Sequence, residues 1–180
     1  MTCATPNMQS LLQQIPAGIS SIKRILLLTD GTVTDILRAH LQEPIDVIRL
    51  KQAPSRSPEV NQALGITSGT PVVFRHSLIQ GKQSSTPLIM ASSILVPERL
   101  PEDLKQKIAQ PEMAIGWAIQ SARVETYREI LDIGELDESV TVEDYDGDPL
   151  TLHFSLQRRY RIMIEGQPCI HIQERFTDSF

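Results

Sequence analysis

Apolar residues recur along this chain at two spacings, and the spacing changes partway. Val33, Ile36, Leu37, His40 and Leu41 fall at i, i+3, i+4, i+7 and i+8, one face of a helix. Thr32 is placed to cap it, and Asp35, three residues on, makes a weak capping box. Upstream, Met8 to Gln14 predicts a short helix within a leading segment, residues 1–20. Ile22 to Leu28 predicts either a short buried strand or the start of a helix, because so short an apolar run fits both. Ile45, Val47 and Leu50 point to an extended segment. Ser57-Pro58-Glu59 carries a helix-start signal with Pro at the first helical position, and Gly65 supplies a left-handed stop, so a helix is expected between them.

From residue 72 the period shifts toward two. Val72–Ile79 and Pro87–Val96 flank the turn candidate Gly81-Lys82 and read as a long hairpin. Leu100–Ala109 predicts a helix, with Pro101, Glu102 and Asp103 in its first turn. Pro111–Gln120 predicts a second, with Ala114, Trp117 and Ala118 inward. Arg123–Ile133 reads as a strand, followed by an acidic loop over 134–149. Along 150–164, Leu152, Phe154, Leu156, Tyr160, Ile162 and Ile164 share one strand face, and Cys169–Phe176 after Gly166 is the last strand. Helices first, then antiparallel hairpins with helices between, define an α+β protein with one antiparallel sheet covered on one face. No internal repeat is visible.

Length and composition narrow the class. The chain has 180 residues, one ordinary domain's worth, with the core domain expected over 21–180. It is 41% hydrophobic and 22% charged, which excludes a disordered or collagen-like chain. Cys3 and Cys169 form no CxxC and no zinc quartet, and two cysteines without a secretory signal fit reduced thiols in a cytoplasmic protein. Lys and Arg number 17 against 22 Asp and Glu, a net charge of -5, so nucleic acid is a poor partner. No apolar run approaches the roughly 20 residues that span a bilayer, so no membrane span is expected.

The motifs of nucleotide, P-loop, serine-hydrolase and zinc-protease chemistry are absent. His40, His76, His153 and His171 have no short-range metal spacing, although two of the three on predicted strands could meet across a sheet. Asp144-Tyr145-Asp146-Gly147-Asp148 superficially suggests calcium, but Gly147 falls fourth and Ser155 twelfth, the wrong positions for an EF-hand loop. In Arg158-Arg159-Tyr160-Arg161, Arg159 and Arg161 face one side of a strand, Arg158 and Tyr160 the other. That cluster is either a solvated strand face or a carboxylate site. Arg75 and Glu174 stand out because each interrupts an apolar strand face, Arg75 between Val73 and Ile79, Glu174 after Ile170 and Ile172 and before Phe176. A charge there is costly unless paired. Two readings stay open: a buried salt bridge between them, or a pocket with one anion clamp and one carboxyl group whose proton affinity burial raises.

Four stretches resemble the chorismate pyruvate-lyase (4-hydroxybenzoate synthase) family: Val73-Phe74-Arg75 through Gly81; Met90-Ala91 to Val96-Pro97; Ile115-Gly116; and Arg158-Arg159-Tyr160-Arg161 through Gly166-Gln167-Pro168 to Glu174. Arg128 to Gly134 fits as well, and the resemblance spans residues 22–178. The segment Thr29 to Leu37 is closer to a divergent, cyanobacterial-type branch than to the ubiquinone-route enzymes. The resemblance implies a single domain, a six-stranded antiparallel sheet with flanking helices around a ligand cavity, and no metal or cofactor. The implied reaction splits chorismate into 4-hydroxybenzoate and pyruvate, feeding quinone synthesis, with plastoquinone the expected destination in a cyanobacterial setting. By position Arg75 would bind a substrate carboxylate, Ile115 and the Gly116 backbone would line the pocket, Glu174 would stand beside the reacting centre, and Val33 would lie on a covering helix. The ubiquinone-route enzymes place an Arg near Ser93; here Arg159 or Arg161 is a substitute to look for. The alternative is a non-catalytic effector-binding domain of the same fold. Regulators of that kind carry a separate helix-turn-helix domain, and only about 20 residues precede the first predicted core element, which favours the enzyme.

Overall fold

The computed structural model describes residues 6–110, 112–143 and 149–180. Six strands form one antiparallel sheet: β1 (Ile45–Arg56), β2 (Pro71–Gly81), β3 (Pro87–Leu95), β4 (Tyr127–Glu143), β5 (Pro149–Ile164) and β6 (Gln167–Thr177), in the order β1-β2-β3-β6-β5-β4. Five helices accompany it: α1 (Met8–Gln14), α2 (Ser21–Leu28), α3 (Val33–Leu41), α4 (Glu102–Ala109) and α5 (Ile115–Ala122). The main core lies between one sheet face and these helices. Leu26, Leu27, Leu37, Leu104 and Ala118 of the helices meet Ile79, Leu88, Leu95, Ile162, Ile170 and Phe176 of the strands. Segment 22–28 is helical: Ser20 caps it, its hydroxyl accepting from the Lys23 amide at 3.3 Å.

Three expectations need correction. Residues 58–65 are not a helix. A helix would put Val60 and Leu64 on one face, but Val60 is exposed while Leu64 and Ile66, two apart, are buried with Val72 and Val96 on the far side of the sheet. The segment is closed instead by an Asn61–Ile66 bridge and by hydrogen bonds of Ser57 with Thr70 and Gly69. Second, much of the expected acidic loop is strand, since β4, at the edge of the sheet, continues to Glu143; Asp144 to Asp148 lie outside the described residues. Third, the apolar set on β5 does not share one face. Phe154 pairs with Thr177 and Leu156 with Phe176, so one extra residue sits in β5. This bulge turns Leu152 and Phe154 to the outer face, against Leu78 and Met90, while Leu156, Tyr160, Ile162 and Ile164 stay on the inner one.

An internal repeat is also present, at the level of topology. Two helices and a three-stranded meander occur twice, as α2-α3-β1-β2-β3 and α4-α5-β4-β5-β6. The two meanders meet at β3 and β6, as a two-fold axis between those strands would arrange them. The register agrees: Ser93 stands opposite Arg75 on β2 as Glu174 stands opposite Arg158 on β5, so Ser93 and Glu174 hold equivalent positions.

Candidate active site

Between the sheet and the two helix pairs lies a cavity lined by Val47, Arg75, Ser77, Ile79, Ser93, Arg128, Tyr160, Ile162, Ile172 and Glu174 from the strands. Gly31–Thr34 and Ala114–Gly116, the links that open α3 and α5, cover it. The room open to the centre of a water-sized sphere is about 60 Å³, enough for several waters. All five residues singled out from the sequence line this cavity: Arg75 and Glu174 from the sheet, Val33, Ile115 and Gly116 from the covering links. The α3 and α5 N-termini touch here: a methyl group added at Gly116 would sit 3.0 Å from Thr32 Cγ2, so glycine permits the close approach.

Arg75 is 1% exposed. Its Nε donates to Ser77 Oγ at 3.1 Å, Nη1 to the Ile108 carbonyl at 3.2 Å and Nη2 to the Met113 carbonyl at 2.6 Å. Those carbonyls belong to the last turn of α4 and the link after it, the negative end of a helix. Among the described residues no carboxylate pairs with Arg75. Burial, with a smaller contribution from Arg49, lowers its pKa from the ordinary guanidinium range to about 10. The cavity thus holds a cation whose charge is balanced by dipoles alone.

Glu174, 3% exposed, is not Arg75's partner. β3 stands between β2 and β6, so the two are separated by two strand spacings, roughly 10 Å. Arg158 on β5 lies directly opposite Glu174 and donates from Nε to Glu174 Oε2 at 2.7 Å. Tyr160 donates its hydroxyl to Glu174 Oε1 at 2.9 Å. Burial and the adjoining Glu174 carboxylate raise the Tyr160 pKa, keeping its phenol a donor. Arg158, 1% exposed, also donates to the Leu26 and Thr29 carbonyls at the end of α2 and stacks 4.8 Å from the Tyr160 ring centre. Glu174 is therefore a buried carboxylate held by a cation and a phenol.

The two halves repeat this arrangement, with differences. Arg75 faces Ser93 across β2–β3 as Arg158 faces Glu174 across β5–β6. Each arginine grips the helix link of the opposite half. Where the second half has a carboxylate, the first has a hydroxyl.

Arg159 and Arg161 do not substitute for the missing arginine near Ser93. They point away from the cavity, Arg159 to Asp132 and Arg161 to Glu129 and the Ala63 carbonyl. The second cation on the cavity wall is Arg128, from the start of β4, whose Nη1 donates to the Asp30 carbonyl at 2.6 Å. Arg158 was hidden within a run that reads as a solvated basic cluster; its parity with Tyr160 was the available signal. The histidines do not converge: His76 bonds Ser92 and His153 bonds Ser139. Among the described residues no group of three potential metal ligands occurs.

Solved structures share this fold, an effector domain among them. The effector domain of PhnF from Mycobacterium smegmatis superposes with a TM-score of 0.55 at 17% identity, over 84% of this chain and 91% of that one. A Staphylococcus aureus gene product, SA0254, gives 0.51 at 12% identity, over 82% and 88%. These likenesses define the fold. The sequence narrows it further: the model of the Rv2949c-like chorismate pyruvate-lyase family matches residues 27–180. The chain is 30% identical over 158 residues to a chorismate pyruvate-lyase of Mycobacterium leprae, covering 87% of this chain and 74% of that protein. It is 26% identical over 161 residues to the Mycobacterium tuberculosis protein of the same name, covering 87% and 79%. The chain belongs to the Rv2949c-like chorismate pyruvate-lyase family.

Proposed function

We propose that this protein converts chorismate into 4-hydroxybenzoate and pyruvate, the product being destined for quinone synthesis. The observation that carries the reading is the buried Arg75 guanidinium, which has no carboxylate of its own, in one cavity with a Glu174 carboxylate held in place by Arg158 and Tyr160. A cation so placed is completed by an anionic ligand. The ring carboxylate of the substrate binds Arg75, which fixes the ring against the sheet. Glu174 then takes the ring proton at the carbon bearing the hydroxyl. The C–H electron pair enters the ring, which becomes aromatic, and the neighbouring C–O bond breaks to expel enolpyruvate. Protonation of its methylene carbon gives pyruvate and returns Glu174 to its starting form. The two products together have the composition of chorismate, so atoms balance without water or another reactant. Tyr160 and Arg158 restrain Glu174 in one orientation, and helix links at Val33 and Ile115 exclude solvent.

Purified protein incubated with chorismate tests this directly. Equal amounts of 4-hydroxybenzoate and pyruvate are expected, with loss of both in Arg75→Ala and a large fall in turnover in Glu174→Gln. Near-normal turnover in Glu174→Gln would remove that residue from the mechanism. A second reading draws on the fold shared with the PhnF effector domain: a binding protein with the same cavity. It would bind 4-hydroxybenzoate or chorismate tightly and release neither product.

A further inference from the structure

We propose that Ser77 is a further binding residue for the ring carboxylate, donating its hydroxyl to that group beside Arg75, and that Ser93 is the residue whose shortness leaves the carboxylate its place. The inference deepens the lyase reading above, in which Arg75 takes the ring carboxylate. It is drawn from the second half of the chain, where the same positions are filled by protein.

In that half, Arg158 and Tyr160 stand two apart on β5 and close on the carboxylate of Glu174, which lies opposite Arg158 on β6. Arg158 donates to Oε2 at 2.7 Å and Tyr160 to Oε1 at 2.9 Å. The register carries each position over to the first half. Arg75 and Ser77 stand two apart on β2; Ser93 lies opposite Arg75, and Ala91 lies opposite Ser77 as Ile172 lies opposite Tyr160. Arg158 therefore corresponds to Arg75, Tyr160 to Ser77, Glu174 to Ser93 and Ile172 to Ala91. The arginine and the hydroxyl two residues on are kept. The carboxylate that they would hold is not.

The donors that remain fit this. Ser77 lines the cavity and is 4% exposed. Its oxygen accepts from Arg75 Nε at 3.1 Å, so its own proton points elsewhere, and among the described residues nothing accepts it. Buried hydroxyls are nearly always paired. Arg75 gives one N–H to Ser77, one to Ile108 and one to Met113, and a guanidinium has more N–H groups than these. Size agrees as well. Ser77 is a tyrosine's hydroxyl without the ring, Ser93 stops short of the carboxylate that Glu174 carries, and Ala91 is smaller than Ile172. The room thus lies on Arg75's side of the two-fold axis, and what is absent there is a ring and a carboxylate. Strand geometry puts the Cα atoms of Ser77 and Ser93 roughly 7 and 5 Å from that of Arg75, so one carboxylate can meet all three side chains.

Calorimetry with 4-hydroxybenzoate and turnover of chorismate test this together. In Ser77→Ala the dissociation constant for 4-hydroxybenzoate is expected to rise about tenfold or more, from loss of a hydrogen bond to a charged group. Ser77→Thr keeps the hydroxyl and should stay within about threefold of wild type. With chorismate the loss should fall on KM, and kcat should stay within about threefold, because Glu174 and its two partners are untouched. An unchanged dissociation constant in Ser77→Ala, binding by Ser77→Thr as weak as by Ser77→Ala, or a loss in kcat alone overturns the role of Ser77 and leaves the lyase reading intact. Wild-type protein that binds 4-hydroxybenzoate but yields no product from chorismate overturns the lyase reading, and the Ser77 variants then decide the carboxylate site by binding alone. Should Ser77→Ala not fold, Ser77→Cys, close in size and a weak donor, takes its place.

Discussion

Arg75 and Arg158 are equally buried, at 1% exposure each, and their removal should have opposite characters. In Arg158→Met, the Glu174 carboxylate keeps only its Tyr160 bond, and the Leu26 and Thr29 carbonyls lose their donor. Breaking a buried ion pair by removing one partner typically costs about 3–5 kcal/mol, because the other charge is left uncompensated. For a protein of this length, each kcal/mol lowers the melting temperature by roughly 2–4 °C, so a fall of roughly 6–20 °C is expected. Arg75→Met also removes three hydrogen bonds, each worth about 1 kcal/mol net, but it strands no carboxylate. It also relieves an unbalanced buried charge, whose desolvation opposes folding. The two effects offset, and a loss of about 1 kcal/mol or less is expected in the ligand-free protein. Urea unfolding of both variants and of Arg158→Met/Glu174→Met supplies the comparison. The double variant should recover part of the single loss, as a coupled pair must. Equal destabilisation by Arg75→Met and Arg158→Met, or strict additivity in the double variant, would refute the assignment of the ion pair to Arg158 alone.

Three other outcomes follow from the same geometry. Ser93→Glu places a carboxylate opposite Arg75, as Glu174 is opposite Arg158; affinity for 4-hydroxybenzoate should fall about 100-fold without loss of thermal stability, read by calorimetry and melting. The Arg75 pKa of about 10 lies below the ordinary guanidinium range, so carboxylate binding should weaken as pH rises through about 10. Stability moves the opposite way: below pH 10 the folded state bears the whole cost of burying the charge, and that cost lessens as pH rises above about 10, where only the unfolded chain stays protonated. Binding that is flat to pH 11 in protein still folded there would contradict this. Gly116→Ala puts a methyl group 3.0 Å from Thr32 Cγ2 and should separate the α3 and α5 N-termini, weakening ligand binding several-fold with little change in stability; unaltered affinity would show that the two links move independently.

What could be read from the sequence was local, and what could not depended on register. Arg75 and Glu174 were conspicuous because a charge on an apolar strand face demands a partner. Which partner each has depends on strand order, and β6 inserting beside β3 rather than at an edge is invisible to periodicity. Arg158 was obscured by Arg159 and Arg161, whose outward carboxylate partners make the run resemble a surface. The failed helix after Pro58 shows a start signal overruled by tertiary burial of Leu64 and Ile66.

The two-fold arrangement has a consequence for direction. Were the halves identical subunits, every position would appear twice, and a ligand on the axis would meet the same groups from either end. It could then lie either way round, and half the bound molecules would present the wrong carbon to the base. Joining the halves in one chain lets equivalent positions diverge, and a single divergence, Ser93 against Glu174, suffices to give the cavity a head and a tail. The proposed elimination, which must take a proton from one particular ring carbon, needs that polarity more than it needs any individual contact.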